Sequence, residues 1–98
     1  MDEWLGEEGR MDTTSKQDAL RRLSYVEGHL KGIRKMLEGD QYCVDVLKQM
    51  YAVQRALSRI ETIILEGHLK RCVPEGIRAG RDGAVIQELA ELYELAHR

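Results

Sequence analysis

The chain has 98 residues, 43% hydrophobic and 33% charged, with no Phe, one Pro and a formal net charge of −2. A domain this small buries only part of the surface that its unfolded chain exposes, so a lone globule is marginal and self-association is the expected remedy. The composition excludes intrinsic disorder, and no apolar run approaches the ~18 residues of a membrane span.

The acidic opening MDEWLGEEGR lacks the basic-then-apolar order of a secretion signal, and the chain reads as cytoplasmic. Residues 1–15 show no periodicity and carry five acidic side chains against one basic; they read as a mobile acidic tail, with 16–98 as a single helical domain. Ser15 followed by Asp18 has the form of a capping box that opens a first helix. Leu20, Leu23, Leu30, Ile33 and Leu37 fall on one face of that helix, and Gly39 stops it. Residues 16–35 hold six basic and two acidic side chains. That local footprint, rather than the whole-chain charge, governs contact with phosphate, although charge alone reads equally as a solvated helix face.

Asp40 is placed to cap a second helix over residues 41–72, and Pro74 forbids its continuation. Its stripe is Cys43, Val46, Met50, Val53, Leu57, Ile60 and Ile64. Spacing that alternates threes and fours is the seam of a helix packed lengthwise on other helices. Gly76, Gly80 and Gly83 mark a loop, after which Asp82 is placed to cap a third helix carrying Val85, Ile86, Leu89, Leu92, Tyr93 and Ala96. No segment alternates with period two. The predicted class is all-α, a three-helix protomer with a long central helix. Such a helix, ~45 Å long, has more apolar stripe than two short neighbours cover, so another copy is expected against it.

Cys43 and Cys72 are the only cysteines, and no secreted context calls for a disulfide. His68 lies four residues before Cys72, on the same helix face. Alone, the pair reads more readily as a buried thiol and a His bonding a helix-end carbonyl than as a metal claw. Extending the central stripe by fours from Ile64 reaches 68 and 72, so Cys43, His68 and Cys72 belong to one seam, at its two ends. Cys43 and His68 are 25 residues apart, ~37 Å along a straight helix. They meet only when a second copy runs antiparallel, which gives two sites per dimer, each with two thiolates and one imidazole. That donor set suits trigonal Cu(I). Zn(II) takes a fourth donor, for which Glu, water or Tyr42 is available. Hard ions such as Mg(II) and Ca(II) are disfavoured.

The run YCVDVLKQMYAVQRALSRIETIILEGHLKRC, with LRRLSYVEGHLKGIRKMLEGD before it, resembles the CsoR/RcnR family of metal-responsive repressors over roughly residues 16–95. A Cys, a His 25 residues later and a Cys four further on resemble its copper-sensing CsoR branch. The resemblance implies a three-helix protomer, an antiparallel homodimer assembling into a dimer of dimers (a homotetramer), and no helix-turn-helix. It implies an apo form that binds operator DNA and is released by metal, derepressing efflux genes. Carried over by position, Cys43, His68 and Cys72 match the Cu(I) ligands. Tyr42 and Glu88 match outer positions linked to the ligating His, and Arg22 and Arg59 match basic positions used for DNA. With the basic first helix, the DNA candidates are Arg21, Arg22, Lys31, Arg34 and Arg59. The chain departs from the family in having Glu27 where many members have a basic residue. No His precedes His29, unlike the nickel and cobalt branch, and His68 separates the chain from the persulfide-sensing branch.

Three rival readings remain at this point. The first is an enzyme, with a Cys nucleophile and His68 as base; a His and a Cys one turn apart supply no oxyanion hole, and no Gly-rich phosphate loop exists, so neither catalysis nor a small-molecule substrate is expected. The second is a persulfide-reactive sensor in which Cys43 and Cys72 join across chains. The third is a helical interaction module with inert Cys and His. No membrane partner is expected, and His29 is read as structural.

Overall fold

A computed structural model describes residues 10–98, and every regular element among them is helical. The elements are α1 (Thr13–Glu38), α2 (Cys43–Gly67), a π-helical turn (His68–Cys72), α3 (Val73–Arg78) and α4 (Asp82–Ala96). No helix among the described residues is long and apolar enough to cross a membrane. Residues 1–9, most of the expected acidic tail, lie outside the described residues. The described chain forms two compact units: Thr13–Leu65, and residues 10–12 with Glu66–Arg98.

The first unit is a helical hairpin. Ala19, Val26 and Ile33 of α1 meet Val46, Val53, Ile60 and Ile63 of α2, with Met36 and Ala56 packed at the margin. Ala19, Val26 and Ile33, and Val46, Val53 and Ile60, each recur every seven residues, the repeat that keeps two helices in lengthwise contact, and Ile63 adds to the core one turn beyond Ile60. His29 adds a polar link, its Nε2 lying 2.6 Å from Gln49 Oε1. The Leu face expected for α1 is thereby split. Ile33 is buried, whereas Leu20, Leu23, Leu30 and Leu37 are exposed. The central stripe divides in the same way: Val46, Val53 and Ile60 are buried, while Cys43, Met50, Leu57 and Ile64 are exposed. A hairpin helix has one neighbour, so only one column of each two-column stripe finds cover within the chain.

The ends of the hairpin differ from expectation. Helix α1 starts at Thr13, and the Asp18 carboxylate bonds Arg21 and Arg22 rather than closing a capping box. Asp40 does not cap α2; it takes a left-handed conformation, φ 54°, that ends α1. Gln41 N then bonds Met36 O at 3.0 Å, and Gly39 N bonds Lys35 O at 2.9 Å, which satisfies the last carbonyls of the helix.

In the second unit the helical path continues through Pro74 instead of stopping before it. The Pro ring has no N–H and crowds the carbonyl four residues back, which rules out an ordinary α-helical interior. The wider π turn directly upstream accommodates it, with Val73 N bonding His68 O, and Pro74 then sits in the first turn of α3, where no donor is missed. Gly76, expected in a loop, is buried within α3. The turn comes at Gly80, φ 77°, where Arg81 N bonds Gly76 O at 2.8 Å. Arg81, not Asp82, occupies the N-cap of α4, without a side-chain cap. Helix α3 packs on α4, and Cys72 and Val85 are the most deeply buried side chains.

Candidate functional site

Cys43 is the first residue of α2 and is exposed, as is Tyr42 beside it. His68 and Cys72 open and close the π turn of the second unit. A π turn interrupts the regular ladder, and such interruptions recur at functional sites. His68 is half-buried, and its Nε2 is wholly shielded yet has no hydrogen-bond partner. A shielded ring nitrogen without a partner is costly, and imidazole nitrogen is a common metal donor. Cys72 is 2% exposed, and its Sγ–H donates to Arg10 O at 3.5 Å. Burial foremost, then the nearby Glu75 carboxylate, pushes its thiol pKa up, so Cys72 loses its proton readily only when a cation takes that place.

Glu75 lies one turn beyond Cys72. Its Oε1 is 3.5 Å from Arg71 Nε, and its Oε2 is shielded and unpartnered. Arg71 Nη1 also donates to Met11 O at 3.5 Å. Glu88 is half-buried on α4. Among the described residues of one chain, no three His, Cys, Asp or Glu side chains gather as a metal site. The donor set still fits a soft cation: one shielded imidazole nitrogen and one buried thiol on a single turn, and an exposed thiol at the start of α2.

The basic candidates are differently engaged. Arg21 Nη2 and Arg22 Nε both donate to Asp18 Oδ1, at 2.7 and 3.0 Å. The Arg22 bond foremost, then that of Arg21, holds the Asp18 carboxyl below its ordinary pKa. Arg34 Nε lies 3.6 Å from Glu38. Lys31 and Arg59 are exposed and make no ion pair among the described residues. Sequence reasoning missed three features: the π turn, the cover of Arg10 and Met11 over Arg71–Cys72, and the double engagement of Asp18. The last was legible, because Asp18 stands three and four residues before two Arg on one helix.

Comparison with known proteins places the chain among metal-sensing regulators. The chain is 47% identical over 79 residues to the copper-sensing transcriptional repressor CsoR of Mycobacterium tuberculosis, a match covering 81% of this chain and 66% of that protein. It is 38% identical over 79 residues to the protein of the same name from Bacillus subtilis, covering 81% of this chain and 78% of that one. The crystal structure of the copper-sensing repressor CsoR with Cu(I) from Geobacillus thermodenitrificans superposes with a TM-score of 0.84 at 30% identity, over 91% of this chain and 93% of that one. The model of a family described as metal-sensitive transcriptional repressor matches residues 15–97. With nearly all of its described helical length inside that match, the chain belongs to the metal-sensitive transcriptional repressor family.

Proposed function

We propose that this protein is a Cu(I)-responsive transcriptional repressor: the apo form binds operator DNA, and Cu(I) held between two copies releases it. The observation that carries the reading is the shielded, unpartnered Nε2 of His68 one turn from the buried thiol of Cys72, in a chain whose relatives are named copper-sensing. His68 and Cys72 of one copy, with Cys43 of another, would hold the ion. When bound, it would supply a soft cation that two thiolates and an imidazole together would hold.

The chain's own residues do the rest. The exposed columns Leu23, Leu30, Leu37 and Cys43, Met50, Leu57, Ile64 support an antiparallel homodimer and a dimer of dimers, because each hairpin leaves them uncovered. Drawing Cys43 toward the His68–Cys72 turn of a second copy selects one relative placement of the two α2 helices. Arg21, Arg22, Lys31, Arg34 and Arg59 ride on α1 and α2, so that placement decides whether they match the phosphate spacing. Linkage makes the two equilibria reciprocal: whatever factor metal removes from DNA affinity, DNA removes from metal affinity. Tyr42 and Glu88 act on the orientation of the His68 ring, coupling the start of α2 and α4 to the ion.

The test is fluorescence anisotropy of labelled upstream DNA titrated with reduced apo protein, then with Cu(I) under a competing chelator. One tight equivalent per protomer and loss of DNA are expected. Cys43→Ala keeps apo DNA binding and no longer lets go. Release of DNA by that variant on Cu(I) addition would remove Cys43 from the sensor. A sulfur bridge between Cys43 and Cys72 after sulfide treatment, seen by mass spectrometry, would favour persulfide sensing.

A further inference from the structure

We infer that Asp18 is a positioning residue that sets how sharply this protein distinguishes its operator from other DNA. The inference rests on the reading of Arg21 and Arg22 as phosphate contacts. One oxygen, Asp18 Oδ1, accepts from Arg21 Nη2 at 2.7 Å and from Arg22 Nε at 3.0 Å. The three residues stand at i, i+3 and i+4 of α1, so the clamp needs no other element. Arg22 is held through Nε alone, which leaves both of its Nη groups without a partner among the described residues. A guanidinium gripped at Nε presents its outer fork in one direction, the geometry that bidentate phosphate recognition uses.

The clamp has two opposed effects on DNA. It subtracts one negative charge's worth of attraction from the basic face, which weakens binding to every duplex alike. It also fixes two flexible Arg side chains before DNA arrives, which saves ordering entropy only where phosphates lie in the matching register. Random DNA feels mainly the first effect, and an operator feels both. Asp18 thus separates the two affinities, as a specific binder must when the same arginines serve every duplex.

The experiment compares apo wild type with Asp18→Asn, Asp18→Glu and Arg22→Ala, and with the Asp18→Asn/Arg22→Ala double variant. The probes are a duplex enriched from a random pool by the wild-type protein and the unselected pool of the same length. Anisotropy is read over a series of salt concentrations. Restoring one net positive charge adds about one released counterion, so pool affinity of Asp18→Asn rises about fivefold near physiological salt and its log–log salt slope steepens by about 0.9. Affinity for the selected duplex changes less than twofold, so the selected-to-pool ratio falls about fivefold. Asp18→Glu restores the ratio, and in the Arg22→Ala background, where Asp18 holds only Arg21, Asp18→Asn lowers it by a smaller factor. An equal change on both duplexes, or a ratio shift undiminished without Arg22, overturns the inference and leaves DNA binding intact. Failure of the wild type to enrich any duplex overturns the DNA reading itself, and the inference with it.

Discussion

Truncating Leu57 to Ala isolates the self-association on which the proposed metal site depends. Leu57 lies on the outer column of α2, outside the buried hairpin cluster, and keeps 39% of its surface exposed in the single copy. Full burial of a Leu side chain is worth about 2.5 kcal/mol, so covering the exposed remainder contributes about 1 kcal/mol. A two-fold seam includes that residue once from each copy, which makes about 2 kcal/mol per dimer. The dimer dissociation constant of Leu57→Ala therefore rises about 30-fold. Sedimentation across a dilution series of reduced apo protein measures it, with far-ultraviolet circular dichroism to show that helix content is unchanged. A dissociation constant equal to that of wild type would place the outer column of α2 away from any second copy. Cys43 belongs to that column, so the shared metal site would fall with it.

Other changes test the single copy. Val53→Ala, at a position 3% exposed in the centre of the hairpin core, costs about 2 kcal/mol by thermal or denaturant unfolding; a loss under about 0.5 kcal/mol would mean that the two helices do not pack through this column. Asp40→Gly relieves a left-handed non-glycine residue, φ 54°, and raises stability by about 0.5 kcal/mol after the added freedom of the unfolded chain is counted. A fall in melting temperature would instead assign the Asp40 carboxylate a structural bond. Brief alkylation of the reduced apo protein, followed by mass spectrometry of peptides, modifies Cys43 ahead of Cys72, because one thiol is exposed and the other is 2% exposed with a raised pKa. Faster modification of Cys72 would contradict the enclosed setting of the π turn.

The helical class and the order of elements were legible because heptad spacing is a property of residue type and position alone. Which face packs inward was not. Leu23, Leu30 and Leu37 outrank Ala19, Val26 and Ile33 in apolar bulk, yet the smaller column forms the hairpin core and the larger one stays exposed. Periodicity locates two adjacent columns and is silent on which neighbour each will meet. The proposed Cys43, His68 and Cys72 triplet rests on spacing, whereas the shielding of His68 Nε2 depends on tertiary placement that no local pattern carries. Pro74 announced a disruption correctly and its form wrongly: the backbone widened upstream instead of ending. Asp18 was misassigned because an acid near a helix start fits both a capping box and a clamp on downstream arginines.

The hydrogen bond between His29 and Gln49 carries a consequence for that choice of face. Rotating α1 to turn its bulkier leucines toward α2 would satisfy hydrophobicity better and would swing His29 away from Gln49. The bond is solvent-exposed, so water would replace it and its loss would cost about 1 kcal/mol or less. It adds a small polar preference to the observed register, in which the bulkier leucine column faces outward. On the proposed reading, those outward leucines are the surface that a second copy would cover, already formed in the single hairpin.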